Sequence, residues 1–152
     1  MSICSAIQPS FLPDKFEAGT PNLPGIYGWE AALEWLEKTS VEQIRQHDRT
    51  LSRRFLDGLA EMHNIRLIGS DDPARRVAVF SLDFPGKDNA LIGDRLEQDF
   101  GILTRCGLHC APNAHKSLGT YPGGTVRLSF GYFNTEAHVD AALHALRSIT
   151  AP

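Results

Sequence analysis

From Ile65 to the C-terminus the chain twice repeats one pattern, two short β-favouring runs followed by a helical stripe, and no other feature constrains its fold as strongly. Ile65 to Ile68 and Val77 to Leu82 are separated by Gly69-Ser70-Asp71-Asp72-Pro73, a cluster that forces a turn, so the two runs are expected to pair antiparallel. Asp88 can cap a helix whose inner face is Ile92, Leu96 and Phe100, with Gly101 as its stop. A third strand is expected at Ile102 to Arg105 and a fourth at Val126 to Phe130. Asn134-Thr135-Glu136 then opens a last helix with Val139, Leu143 and Leu146 inside. Two helices are expected upstream. The first starts at Pro24 and has one buried face of Ile26, Trp29, Leu33 and Leu36. The second follows the Ser40/Gln43 capping-box signal and carries Ile44, Leu51, Phe55, Leu59 and Met62. Two helices followed by ββαββα pack best as a small antiparallel or mixed sheet covered by helices on one face, an α+β two-layer sandwich.

With 152 residues, 42% hydrophobic and 22% charged, the chain is long enough to bury one core of its own. Residues 1–12 are expected to form an irregular tail and residues 13–152 the domain, because the first 24 positions hold four prolines and little periodicity. A net charge of -3 with both signs scattered along the chain argues against nucleic acid as a partner. Met1 to Leu12 lack a basic segment followed by an apolar one, and no apolar run is long enough to span a bilayer, so a soluble cytoplasmic protein is expected.

Three cysteines, Cys4, Cys106 and Cys110, do not form the even framework of a small secreted domain, and reduced thiols are the natural reading. Cys106 and Cys110 open a twenty-residue stretch to Thr125 that contains four glycines and two prolines, read as a long loop of the kind that usually serves function. In Arg105-Cys106-Gly107-Leu108-His109-Cys110 a thiol stands beside an imidazole and near a guanidinium, partners that both favour the nucleophilic thiolate. Spacing alone leaves other readings open: Cys110 as an inert core residue, or Cys106, Cys110 and His115 as three ligands of a zinc site that lacks a fourth.

Arg105-x-Gly107-x-His109-Cys110, followed by Arg127-x-Ser129 and Asn134-Thr135, resembles the catalytic end of class V cysteine desulfurases of the aminotransferase superfamily. Upstream, Phe16-Glu17-Ala18-Gly19-Thr20-Pro21-Asn22, leading through Gly25-Ile26 into a helix, is similar to the segment that opens the C-terminal part of the same family, so the resemblance runs from residue 13 to about residue 148. It implies a C-terminal small domain of a pyridoxal 5'-phosphate enzyme. In that setting Cys110 would take sulfur from a cysteine-cofactor adduct and become a persulfide, with His109 and Arg105 as active-site support. Arg127 would clamp the substrate carboxylate, a task that suits a planar guanidinium fork. Gly19 and Thr20 would reach the cofactor phosphate of a partner subunit in a homodimer. Cysteine or selenocysteine would be the substrate, and a sulfur-acceptor protein a further partner.

The resemblance also implies a Schiff-base lysine on a large domain that this chain lacks. Lys15, Lys38 and Lys87 have none of its surroundings. Ala114-His115-Lys116-Ser117 shares two adjacent residues with a Ser-x-His-Lys motif, but Lys116 follows the nucleophile, whereas the family's lysine precedes the Gly19-Thr20 segment. The chain alone is therefore expected to be inactive and to bind no cofactor. Two other readings stand beside the enzyme fragment: a non-catalytic sulfur-relay or partner-binding module using Cys110, and a zinc-binding α+β domain.

Overall fold

The computed structural model describes residues 10–17 and 19–151, which fall into two compact units, one ending at Ser40 and one starting at Val41. In the first unit, a hydrogen-bonded turn at Phe11 to Phe16 precedes helix α1, Leu23–Thr39. Asn22 caps α1 by accepting from the Gly25 N–H at 3.2 Å, and Pro24 occupies the first turn, where its missing N–H costs nothing. The apolar stripe expected on this helix is present, yet none of its residues is buried: Ile26, Trp29, Leu33 and Leu36 are all exposed. Periodicity shows that a helix has an apolar face, and among the described residues of this unit nothing buries that face.

The second unit begins with α2, Val41–Ala60, and continues through β1 (Arg66–Ile68), a 3₁₀ turn (Pro73–Arg75), β2 (Val79–Asp83) and α3 (Asn89–Phe100). It then runs through β3 (Arg105–Gly107), α4 (Pro112–Leu118), β4 (Thr125–Ser129) and α5 (Glu136–Thr150). The four strands form one antiparallel sheet in the order β1-β2-β4-β3. Because β4 pairs antiparallel with both neighbours, β2 and β3 run in the same direction on either side of it, a split βαβ unit joined through α3.

Alternation along the strands sorts the two faces of this sheet. Phe80, Leu82, Val126 and Leu128 point to the helix-covered side and are buried there with Leu51 and Phe55 of α2, Ile92 and Leu96 of α3, and Val139 and Leu146 of α5. Phe55, Phe80 and Phe130 meet at centroid distances of 4.4, 5.3 and 5.9 Å in tilted and edge-to-face contacts, the arrangement their ring quadrupoles favour. Arg54 of α2 ties this helix layer at its rim, donating to both carboxylate oxygens of Asp140 at 2.7 and 2.8 Å and to Glu136 at 2.6 Å.

The α+β two-layer expectation holds, with shifts in detail. The third strand is Arg105–Gly107 and not Ile102 to Arg105. Gly101 ends α3 in the left-handed conformation and the Ile102 N–H bonds Leu96 O at 2.9 Å, so Ile102 completes the helix cap before the strand begins. The expected long loop contains α4, bracketed by Pro112 at its start and left-handed Gly119 at its end.

Candidate active site

Directly opposed residues of an antiparallel pair project to the same face. The register sets Arg105 against Arg127 and Arg127 against Ser81, so both guanidiniums stand in one row on the face of the sheet away from the helix-side core. Neither makes a hydrogen bond or ion pair to a described residue. Like charges directly opposed weaken a sheet, and two unneutralised cations on one face of it suit a carboxylate or another oxyanion.

β3 leads from this row into a turn at Leu108 to Ala111, closed by the Ala111 N–H on Leu108 O at 2.9 Å. Its two central residues, His109 and Cys110, have φ of 50° and 60°, the pattern of a type I′ turn, for which Asn-Gly is the usual choice. Placing two residues with Cβ atoms there costs about 1–2 kcal/mol each. Cys110 is exposed at this strained corner. Cys110→Gly is therefore expected to stabilise the unit by about 1 kcal/mol in denaturant unfolding while removing the thiol; a loss of stability would show that the turn is not strained.

His109 is half-buried, and its Nε2 lies 3.1 Å from the Arg105 carbonyl, which can only accept, so Nε2 carries the proton and Nδ1 is the free acceptor. Burial pushes the His109 pKa down and the Arg105 carbonyl bond pulls it up, while Arg127, His115 and Arg105 push it down further; the outcome lies below the ordinary value of 6.5. The folded protein thus resists protonation of His109 more than the unfolded chain does. Its contribution to stability is present above about pH 6.5 and is lost as pH falls through the lower, folded-state value. His109→Gln is expected to reduce the fall in thermal midpoint between pH 7 and pH 5; an unchanged fall would remove His109 as a source.

The loop behind the turn is anchored at two carbonyls. Arg66 of β1 donates to Asp83 Oδ2 at 2.8 Å and to Gly119 O at 3.2 Å. Asn89, buried at the start of α3, accepts from the Phe84 N–H at 3.1 Å and donates to Asp83 Oδ1 at 3.1 Å and to Gly124 O at 2.9 Å. Cys106, paired with buried Val126, projects to the helix-covered side, where its Sγ fills the space a Cβ on Gly93 would need.

The structure thus brings Arg105, Arg127, His109 and the Cys110 turn together. Gly19 and Thr20 lie in the first unit, exposed in a bend before α1, with Gly19 at φ 91°. Cys4 falls outside the described residues. No three His, Cys, Asp or Glu side chains gather as a metal-holding group among the described residues, and among the same residues no helix is long and apolar enough to cross a membrane. Sequence reasoning missed Asn89, Asp83 and Arg66, whose link to the loop joins segments far apart in the chain, and it weighed His115 only as a metal ligand.

A fold of this kind occurs in solved cysteine desulfurases. The apo structure of cysteine desulfurase from Thermococcus onnurineus NA1 superposes with a TM-score of 0.81 at 31% identity, over 90% of this chain and 33% of that one. The cysteine desulfurase CsdA structure from Escherichia coli, in its S-sulfonic acid form, gives 0.75 at 34% identity, over 90% of this chain and 32% of that one. By sequence, CsdA of Escherichia coli K12 is 36% identical over 88% of this chain and 32% of its own length. A probable cysteine desulfurase of Mycobacterium leprae is 33% identical over 90% of this chain and 22% of its length. Residues 2–142 match the model of the aminotransferase class-V family, and the chain belongs to that family. It spans about a third or less of the length of these relatives.

Full-length cysteine desulfurases of this family use pyridoxal phosphate, and the lysines described here do not fit a Schiff-base role. Lys116 Nζ lies 5.2 Å from the Tyr121 ring centroid, Lys87 Nζ donates to Ile149 O at 3.1 Å, Lys38 pairs with Glu34 at 3.8 Å, and Lys15 sits over the Phe16 ring.

Proposed function

We propose that residues 13–152 act as the C-terminal small-domain part of a cysteine desulfurase-like enzyme, with Cys110 as the thiol that accepts sulfur and Arg127, flanked by Arg105, as the anchor for the substrate carboxylate. The observation that carries this reading is the pair of opposed, unneutralised guanidiniums at the foot of a strained turn that exposes a cysteine. Arg127 is held on a central strand, so its fork keeps a fixed bearing, while the thiol stands exposed on the turn between β3 and α4. His109, neutral with its Nδ1 free, can take the thiol proton. Cysteine or selenocysteine is the substrate class, and a sulfur-acceptor protein takes the persulfide. In a cytoplasmic homodimer Gly19 and Thr20 would serve the partner subunit's cofactor phosphate. The cofactor and its lysine would come from protein outside this chain, so the chain alone is read as inactive.

The test is competitive alkylation of the chain near neutral pH, read peptide by peptide. Cys106 is exposed as well, but its side chain lies on the opposite face of the sheet from Arg105 and Arg127, so Cys110 is expected to label about fivefold faster. Arg127→Gln is expected to slow that labelling, because it removes a positive charge that holds the adjacent His109 neutral. Equal, slow labelling of the two thiols would sink the reading.

A further inference from the structure

The site contains a second imidazole to which nothing above gives a task. His115 is buried on α4, and its ring faces that of His109 at a centroid distance of 5.9 Å and an interplanar angle of 32°. Its Nδ1 lies 2.7 Å from the hydroxyl of Thr120, which is also buried. The end of the helix creates this pair. Gly119 turns the chain into the left-handed conformation, and the Thr120 N–H bonds His115 O at 2.9 Å, which brings the Thr120 side chain back against the ring one turn earlier. A separation of 2.7 Å is typical of an O–H donor, whereas the other acceptor in reach of the hydroxyl, His115 O, is 3.4 Å away. With the hydroxyl donating across the shorter contact, His115 carries its proton on Nε2.

We propose that His115, held by the Thr120 hydroxyl, is a positioning residue for His109: it keeps the His109 imidazole plane fixed, so that Nε2–H stays on the Arg105 carbonyl and Nδ1 remains the free acceptor on the residue that precedes Cys110. The inference rests on the reading of Cys110 as the reactive thiol. A half-buried ring with one hydrogen bond can still rotate about that bond, and a neighbouring ring packed at 5.9 Å and anchored from behind restricts this freedom. The charged and titratable groups facing His109 are Arg105 on β3, Arg127 on β4 and His115 on α4. Protonated His109 would therefore stand among cations, and a fixed neutral tautomer is the form this surrounding supports.

The experiment uses the whole chain, labelled with ¹⁵N. Long-range ¹H–¹⁵N correlations read the tautomer of each histidine, and iodoacetamide labelling of Cys110 is followed from pH 5.5 to 8.5. His109 and His115 are expected as single Nε2–H tautomers. Thr120→Val, which keeps the shape and loses the hydroxyl, and His115→Leu, which loses the ring, are expected to give His109 a mixture of tautomers and to remove the His109 inflection from the Cys110 pH profile. Thr120→Ser is expected to restore both. A single His109 tautomer and an unchanged profile in both Thr120→Val and His115→Leu would overturn the proposal. If wild-type Cys110 labels no faster than Cys106 while the tautomers still respond, the positioning stands and the sulfur-transfer reading fails.

Discussion

Replacing Gly124 by alanine is expected to lower stability by about 3 kcal/mol, while the same change at Gly123 is expected to be neutral or stabilising by about 0.5 kcal/mol. The two glycines are neighbours and similar in composition terms, but only one is under constraint. Gly124 has φ 72°, and a Cβ on it would run into the backbone carbonyl and Cα of Gly107; nothing lies within 4 Å of a Cβ on Gly123. At Gly124 the left-handed backbone alone costs an alanine about 1–2 kcal/mol. Forced separation from Gly107 adds an overpacking cost of about 1–3 kcal/mol, because the obstacle is main chain and cannot turn aside. Gly107 and Thr125 end the β3–β4 pairing, so the displacement would be felt in the strand that carries Arg105 and leads to Cys110. Thermal unfolding should show a midpoint lower by more than about 10 °C for Gly124→Ala. Equal midpoints for the two variants would mean that the close approach of these strands does not hold in solution.

Most of the helix-side core was legible in the sequence, because burial there follows periodicity. Leu51, Phe55 and Leu59 of α2 with Met62 just beyond it, Ile92 and Leu96 of α3, and Val139, Leu143 and Leu146 of α5 recur at helical steps and are all buried. Ile26, Trp29, Leu33 and Leu36 have the same spacing and are exposed, since periodicity records which face a helix offers and not what meets it. The missed helix α4 has another cause. Its proline and glycine were counted as marks of a loop, whereas Pro112 and Gly119 stand at its two ends, where each fits best. Of the candidate site, Arg105, His109, Cys110 and Arg127 could be singled out from the sequence because they form a motif whose spacing can be read along the chain. The opposition of the two arginines was not, as it depends on the β3–β4 register. The Thr120–His115–His109 contact was hidden because it rests on a helix end that had not been read as a helix.

The largest effect expected from a single polar group is at Asn89. Asn89→Ala should cost about 3 kcal/mol, because it leaves the Phe84 N–H and the Gly124 carbonyl without their partner in a buried site, at roughly 1–3 kcal/mol for each buried group left unpaired. Asn89→Asp separates the contributions. The carboxylate can still accept from the Phe84 N–H, but it has no hydrogen to give Gly124 O and it stands against Asp83, whose Oδ1 now accepts from the Asn89 amide. Like charges at hydrogen-bond distance disfavour the ionised form, so the introduced carboxyl should titrate well above the ordinary aspartate value of about 3.9. A raised folded-state value means that the folded protein binds the proton more tightly than the unfolded chain. Relative to wild type, Asn89→Asp should lose least stability at low pH and progressively more as pH rises through that raised value. Because Asn89 holds Gly124 O and Arg66 holds Gly119 O, the variant should also loosen the segment behind Thr120 and slow Cys110 labelling at neutral pH more than at pH 5. A pH-independent deficit in Asn89→Asp would show that the Asp83–Asn89 contact is not made in solution, and an undiminished labelling rate would show that the loop keeps its position without it.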